Sequence, residues 1–410
     1  MREKRSPRRA IGAIALVVGA SLLLAGCIGT PATPARPLEQ PAAGVLADYS
    51  FGHTVVTADQ FASTPLDALQ RLPLQLAVEP TSFRVHVRNW NYLADQGVPG
   101  SLTVTGVWLG QQASGDETNP AFSAEPALLA EGGTVTDGAS YTTPWISTET
   151  VPISAHTPYL LSMGLRSDTG IAVAATGSAA WIDLFGASAL AGSTDAMGQW
   201  NATASLLDVW IEYTVPDNVT TLFVIGHSLN SPGNRDRATH PHRGELDSWP
   251  QQWALSVDAA ASTLAASGAW TLNYPPESPK WTTYGDAQPD YVAMWDASND
   301  IANGQTLEQV QGSYQVVLAR ARQQWPDAVF YGFTEAPRSI PPELDSVRVA
   351  WNAWLLTADL GLAGVIDADA ALRDPGSPEA LDPELTSDGI HLNLAGHQLV
   401  AQLFSAAVSR

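Results

Sequence analysis

Two folded regions of different class are predicted: an all-β sandwich or jelly roll, then an α/β region built on a parallel sheet with helices on both faces. Three features carry this. From about Val45 to Pro216, short apolar runs are broken by Gly, Pro, Ser, Thr and Asp, and few helical periods compete with them. From Thr221 onward, apolar runs of strand length alternate with segments at helical spacing. At the junction, Leu222-Phe223-Val224-Ile225 runs straight into Gly226-His227-Ser228, as a buried strand does when it delivers a side chain to the edge of a parallel sheet.

The chain opens on a basic stretch from Arg2 to Arg9, an apolar run from Ile11 to Leu24, and then Ala25-Gly26-Cys27. That is the pattern of a secretory signal, and the run is short for a membrane span. Leu24-Ala25-Gly26-Cys27 resembles a bacterial lipobox, which implies cleavage after residue 26 and a lipid on Cys27, anchoring the protein to the membrane outside the cytoplasm. Cys27 is the single cysteine, so no disulfide forms within the chain and both regions rely on their own cores. The formal net charge is −21; without residues 1–26, five basic residues and one acid are lost, leaving 15 basic against 40 acidic, or −25. Such a surface repels phosphate backbones and argues against nucleic acid as a partner. Residues 27–44, rich in Pro and small side chains, are expected to form an extended tether. The β region is expected over 45–216 and the α/β region over 217–410, which suits a length of 410 residues.

Within the β region, Phe83–Arg88 alternates with period two and predicts a half-buried strand; Leu102–Trp108, Tyr159–Leu165 and Val209–Tyr213 are further candidates. Trp90, Trp145 and Trp181 are either core residues or platforms for sugars. In the α/β region the expected strands are Thr221–Ile225, Trp270–Asn273, Asp290–Trp295, Val329–Phe333 and Leu362–Ile366. Leu307, Val310, Tyr314, Val317, Ala321 and Trp325 fall on one helical face, as do Leu344, Val347, Trp351, Trp354 and Ala358. A last helix buries Leu399, Val400, Leu403 and Phe404.

Ser228 stands at a strand end, where open α/β sheets place their ligands. Near the C-terminus, Asp388-Gly389-Ile390-His391 puts an acid and a histidine on one short loop. A serine hydroxyl becomes a nucleophile when a base takes its proton, and that base needs a third group to orient it. Ser228, His391 and Asp388 supply these three roles. In this respect the chain resembles the GDSL/SGNH hydrolases over roughly residues 216–410. Gly226-His227-Ser228-Leu229 matches their Gly-Asp-Ser block with His227 in place of the acid. Ala297-Ser298-Asn299-Asp300 matches Gly-X-Asn-Asp with Ala297 in place of the glycine, and Asp388 to His391 matches Asp-X-X-His in full. The resemblance implies a flavodoxin-like sheet and an oxyanion hole made by the Ser228 backbone N–H, the Asn299 amide and a glycine. Gly268 is the candidate for that glycine, although it precedes the expected strand Trp270–Asn273.

The substrate class expected is a carboxylic ester, foremost an acylated glycan or cell-envelope component, with a lipid or lysophospholipid ester as the variant within the same chemistry. A silent relative that only binds an envelope glycan is the reading from another class. The chemistry requires no metal and no organic cofactor. Asn230, and the single loop that holds Asp388 and His391, distinguish the chain from a Gly-X-Ser-X-Gly elbow. His397 is expected to line the last helix, and His240 with His242 is too small a set for a metal. Asp296 and Asp300 are expected to bond near the cleft, and Asp286 and Asp290 to be solvated.

Overall fold

A computed structural model describes residues 35, 37–51, 55–58, 65–113, 119–171, 173–176, 180–184, 186–195, 205–231 and 244–409. Cys27, His240 and His242 lie outside them. The β region is built around two six-stranded antiparallel sheets that share one core, with a smaller three-stranded sheet and a two-stranded hairpin beside them. The first runs in the order Pro37–Leu38, Trp145–Ser147, Ser82–Arg88, Asp208–Val215, Val45–Ser50, with Ser140–Thr142 also paired to Ser82–Arg88. The second runs Gly133–Thr136, Ser101–Gln111, Tyr159–Ser167, Leu66–Leu74, Trp181–Asp183, with Ala127–Ala130 also on Ser101–Gln111. Phe83, Val85, Val87 and Ile211 of the first sheet meet Leu72, Val104, Leu161 and Met163 of the second in a single apolar cluster. Pro37–Leu38, within the stretch expected to be a tether, adds a short strand to the edge of the first sheet.

The expected strand at Phe83–Arg88 forms over Ser82–Arg88 but is not half-buried: both faces are covered. Its polar side chains turn toward the α/β region and find partners there and on the neighbouring strand. Glu212 accepts from Arg84 Nε at 2.6 Å and lies 3.0 Å from His86 Nε2, while Arg88 reaches Asp208 at 2.8 Å and the Tyr284 hydroxyl at 2.7 Å. Trp181 packs fully buried with Phe122 and Leu160. Trp145 and Trp90 lie under the guanidinium groups of Arg84 and Arg88, at 4.6 and 4.1 Å. All three tryptophans thus serve packing.

The α/β region holds five parallel strands: β1 Thr221–Gly226, β2 Ala260–Ala265, β3 Tyr291–Trp295, β4 Val329–Phe333 and β5 Gly364–Ile366. Their order is β2-β1-β3-β4-β5, the flavodoxin-like 2-1-3-4-5 winding, which reverses direction between β1 and β3. Alternation along β1 divides its side chains between two cores. Phe223 and Ile225 face helices α2 (Leu307–Gln324) and α3 (Pro342–Leu355). Leu222 and Val224 face α1 (Trp249–Val257) and α4 (Leu394–Val408). The helical stripes bury as expected at Val310, Tyr314, Val317, Ala321, Trp351, Val400 and Phe404. Leu344, Val347, Trp354, Leu399 and Leu403 are only partly covered.

One expected strand is wrong. Trp270–Asn273 is not a strand; Thr271–Asn273 is a single 3₁₀ turn, and the second strand is the Ala-rich Ala260–Ala265. Small residues suit that position. β2 is the edge strand, and Val45–Ser50 of the β region lies against it, with Asp48 N donating to Ser262 Oγ at 2.8 Å. Side chains of low bulk let the two edges approach.

Candidate active site

The turn that carries Ser228 is fixed by a close approach of backbone. Gly226 has φ +153°, and a Cβ there would collide with the Trp295 carbonyl oxygen, so only glycine fits where β1 passes the end of β3. His227 and Ser228 follow on a turn closed by Asn230 N donating to His227 O at 2.9 Å. Asn230 Nδ2 also donates to Trp295 O at 2.9 Å, and Asn230 Oδ1 accepts from Trp249 Nε1 at 2.9 Å. This buried asparagine ties the turn to β3 and α1. Ser228 therefore sits at the carboxyl end of β1, beside the point where the winding reverses.

Correcting the second strand to Ala260–Ala265 changes the standing of Gly268. β2 pairs in register with β1, Ala265 opposite Gly226, and Gly268 follows it in an exposed left-handed turn at φ +78°. The glycine thus lies after the second strand, as the resemblance requires. Asn299 begins the turn after β3 and donates from Nδ2 to Ala269 O at 2.8 Å, next to Gly268. Asp300 joins the same two loops, accepting from Thr271 N at 3.0 Å and from the Thr271 hydroxyl. Burial outweighs those bonds and pushes its carboxyl up to about 6. Ser228, Gly268 and Asn299 all lie on the carboxyl-end loops of three adjacent strands.

Asp388 and His391 form the remaining pair. Asp388 Oδ2 is 2.7 Å from His391 Nδ1, and its Oδ1 accepts from the backbone N–H of Ile390 at 2.9 Å and of His391 at 2.7 Å. Partial burial alone would raise this carboxyl; the bonds from the His391 ring and backbone hold it below its usual value. A carboxylate at Nδ1 places the ring proton there and leaves Nε2 as the basic nitrogen. The structure brings His391 to Asp388 but not to Ser228: among the described residues neither Ser228 Oγ nor His391 Nε2 has a hydrogen-bond partner. The two loops nonetheless share one apolar support, since Leu229 and Leu392 pack in the same cluster.

Two departures from the family pattern resolve into one arrangement. Ala297 has φ −111°, open to any residue, so glycine is not required there. Its N–H donates to Glu335 Oε1 at 2.7 Å, and Glu335 Oε2 lies 3.2 Å from His227 Nε2. Leu229 N donates to His227 Nδ1 at 3.3 Å, so Nε2 carries the proton. The acid missing from position 227 is thus supplied in space by Glu335, which joins the loops of β1, β3 and β4. Arg338, three residues on, donates from Nη1 to Asn299 Oδ1 and Ser298 Oγ, each at 3.0 Å. It also lies in the field of Asp388. Burial lowers its guanidinium, opposed by Glu335 and Asp388. Sequence reasoning missed Glu335 and Arg338. Their signal was present: two charged residues directly after the buried strand Val329–Phe333, at the sheet edge where ligands bind.

His397 is fully buried and accepts from Trp249 N at 3.2 Å, which makes it part of the seat of α1 rather than a base. Asp296 is buried and, among the described residues, neither of its oxygens has a hydrogen-bond partner, unlike the expected bonding role; burial raises it well above the usual range. Asp290 is exposed but caps β1, accepting from Thr221 N at 2.8 Å. Among the described residues, no group of three or more His, Cys, Asp or Glu could hold a metal ion.

An open α/β sheet with an ordered serine turn and an Asp–His loop at its carboxyl edge is the framework of a hydrolase of the SGNH class. Residues 224–399 match the model of the GDSL-like lipase/acylhydrolase family. No functionally curated protein matches the sequence. Similar solved structures include a family two carbohydrate esterase from Clostridium thermocellum in complex with cellohexaose (14% identity, 88% of this chain and 98% of that one, TM-score 0.38). A family 2 carbohydrate esterase with a carbohydrate binding domain from Corynascus thermopiles is 13% identical, over 89% and 100% of the chains, with a TM-score of 0.38. A protein described as lipolytic and of the G-D-S-L family, from Desulfitobacterium hafniense, is 14% identical over 46% and 99%, with a TM-score of 0.38. Likenesses this distant bear on neither substrate nor mechanism.

Proposed function

We propose that the chain is a carboxylic ester hydrolase working through Ser228, His391 and Asp388, held outside the cytoplasm by a lipid on Cys27. The observation that carries the reading is the Asp388–His391 pair at 2.7 Å, with Nε2 left free, on the same sheet edge as Ser228. Ser228 Oγ attacks the ester carbonyl as His391 Nε2 takes its proton; the imidazolium is offset by Asp388. The tetrahedral oxyanion is met by the Ser228 N–H, the second Nδ2 proton of Asn299 and the Gly268 N–H. Collapse expels the alcohol, protonated by His391, and water then cleaves the acyl-serine by the same base.

A surface location and a β region fused to the catalytic sheet favour acyl groups, foremost acetyl, on glycans or other envelope components as substrate. The test is hydrolysis of p-nitrophenyl acetate and longer esters by the chain beside Ser228→Ala, with fluorophosphonate labelling in parallel. Serine-dependent turnover that falls with acyl length is expected. Turnover rising with length would move the substrate to lipids. No turnover and no label would leave a binding protein. Anchoring is checked separately: Cys27→Ser should release the protein from membranes, and retention of that variant in the membrane fraction would sink the lipid assignment.

A further inference from the structure

The proposed chemistry leaves unused a hairpin of the β region, Trp90–Asn91 paired with Gln96–Gly97. Its tip is pinned to the α/β region at several points. Tyr92 is fully buried in the cluster that holds Tyr274 and Tyr284, its ring 6.0 Å from that of Tyr284. The Leu93 carbonyl accepts from Asn273 Nδ2 at 2.9 Å. Asp95 accepts from the Ser278 hydroxyl and lies 3.0 Å from Lys280 Nζ, a lysine whose side chain is 1% exposed. Asp95 itself adopts φ +54°, which an L-residue reaches at a cost of about 1 kcal/mol, so these contacts impose the turn. Between the anchors, the Leu93 side chain is half-buried, and its Cδ1 lies 3.7 Å from where a Cβ on Gly268 would stand. Gly268 is exposed and belongs to the loop that Asn299 touches.

We propose that this hairpin is a wall of the catalytic cleft and that Leu93 is the residue of the β region that meets the substrate, restricting the acyl group to short chains. The inference rests on the esterase reading above. If Gly268 receives the carbonyl oxygen, the first acyl carbon lies about 2.4 Å from that oxygen by standard bond lengths. A side chain standing beside Gly268 therefore meets the acyl group within one or two methylenes. Leucine has no hydrogen-bonding group, which matches hydrocarbon and not a hydroxyl-bearing alcohol. Because the Leu93 backbone is held by Asn273 and its neighbour Tyr92 is buried, the wall does not retreat from a longer chain.

The test is a series of p-nitrophenyl acetate, butyrate and hexanoate with the full chain, Leu93→Ala, Leu93→Trp and Ser228→Ala. Leu93→Ala should raise the butyrate-to-acetate ratio of kcat/KM about tenfold, and Leu93→Trp should lower it by a similar factor. Melting temperatures should stay close to the parent, since Leu93 is half-exposed. Ratios within about twofold of the parent in both folded variants overturn the wall while leaving the esterase intact. Absence of Ser228-dependent turnover by the parent on every ester, with no fluorophosphonate label, overturns the esterase reading and the wall with it.

Discussion

Two histidine–carboxylate pairs lie on the loops of the candidate site, and they are built in opposite senses. In His391–Asp388 the partners are three residues apart, 2.7 Å from each other through Nδ1, and 41% and 49% exposed. In His227–Glu335 they come from loops 108 residues apart, meet at 3.2 Å through Nε2, and are each 1% exposed. The first pair leaves Nε2 open to solvent and substrate. The second has both ring nitrogens occupied, Nδ1 by Leu229 N–H and Nε2 by Glu335, and has nothing left to offer a hydroxyl. The histidine beside Ser228 in sequence is therefore held as a structural one, and the proposed base is the histidine 163 positions away. Which nitrogen the carboxylate holds, and what remains free, separates the two roles.

The sharpest way to break this contrast is to remove each histidine's partner and read rate and stability separately. Asp388→Asn should cut kcat about ten-thousand-fold with little change in unfolding free energy, because the amide favours the wrong tautomer of an exposed ring. His391→Ala should do at least as much. If either variant kept more than about a tenth of the parent's serine-dependent rate, the base assignment would be lost.

At Glu335 the order reverses. Glu335→Ala strands two buried donors, the Ala297 N–H and the His227 Nε2–H, and should cost roughly 3 kcal/mol in urea denaturation. Glu335→Gln keeps one acceptor but turns its amide protons toward one of these donors, so it should cost less than alanine yet remain measurable. A Glu335→Gln variant of unchanged stability would show that Nε2 carries no proton and that the tautomer is misassigned.

A third carboxyl, Glu245, extends the comparison to a fully buried group. Among the described residues Glu245 accepts from the Ser231 hydroxyl, and burial pushes it up to about 8 against an ordinary value of 4.5. Between these values the folded chain holds a proton that the unfolded chain has released. Stability should then fall as pH rises through that window, by up to about 1.4 kcal/mol per pH unit from this group, and level off above it. Asp300 tilts the curve the same way, so the quantity to measure is the difference between parent and Glu245→Gln. Parallel stability curves from pH 5 to 8 would refute the assignment.

Most of this architecture was legible in the chain, for identifiable reasons. Buried parallel strands announce themselves as apolar runs, which placed β1, β3 and β4 closely. β2 escaped because its side chains are Ala, Ser and Thr with a single Leu264, small enough for the edge of the β region to dock on them. That error displaced the second strand and left Gly268 apparently out of order. Ser228, Asn299, Asp388 and His391 could be singled out as candidates because their motifs are local to short loops. Glu335 and Arg338 act on residues far away in sequence, and no spacing encodes a contact made only by folding. The alternation at Phe83–Arg88 gave the right face but the wrong environment, because Arg84, His86 and Arg88 find buried partners at Glu212, Asp208 and Tyr284.

The smallest expected effect tests how finely the proposed oxyanion donor, Asn299, is aimed. Asn299 has an oxygen and a nitrogen that a rotation about its last bond would exchange. Arg338 Nη1 donates to the oxygen at 3.0 Å, and the Ala269 carbonyl takes one nitrogen proton at 2.8 Å, so the guanidinium selects the orientation that leaves N–H toward the carbonyl of the ester. Losing the donor outright, as in Asn299→Ala, should lower kcat a hundredfold or more, to about a thousandfold. Losing only its orientation should cost less: Arg338→Met is expected to lower kcat about tenfold with KM nearly constant. Arg338→Lys should recover part of that rate, since a flexible ammonium restores a donor near Asn299 but not the rigid guanidinium that aims one Nη1 at both Asn299 and Ser298. A change confined to KM would instead place Arg338 against the ground-state substrate. In that case the orientation of Asn299 would be set by Ala269 alone.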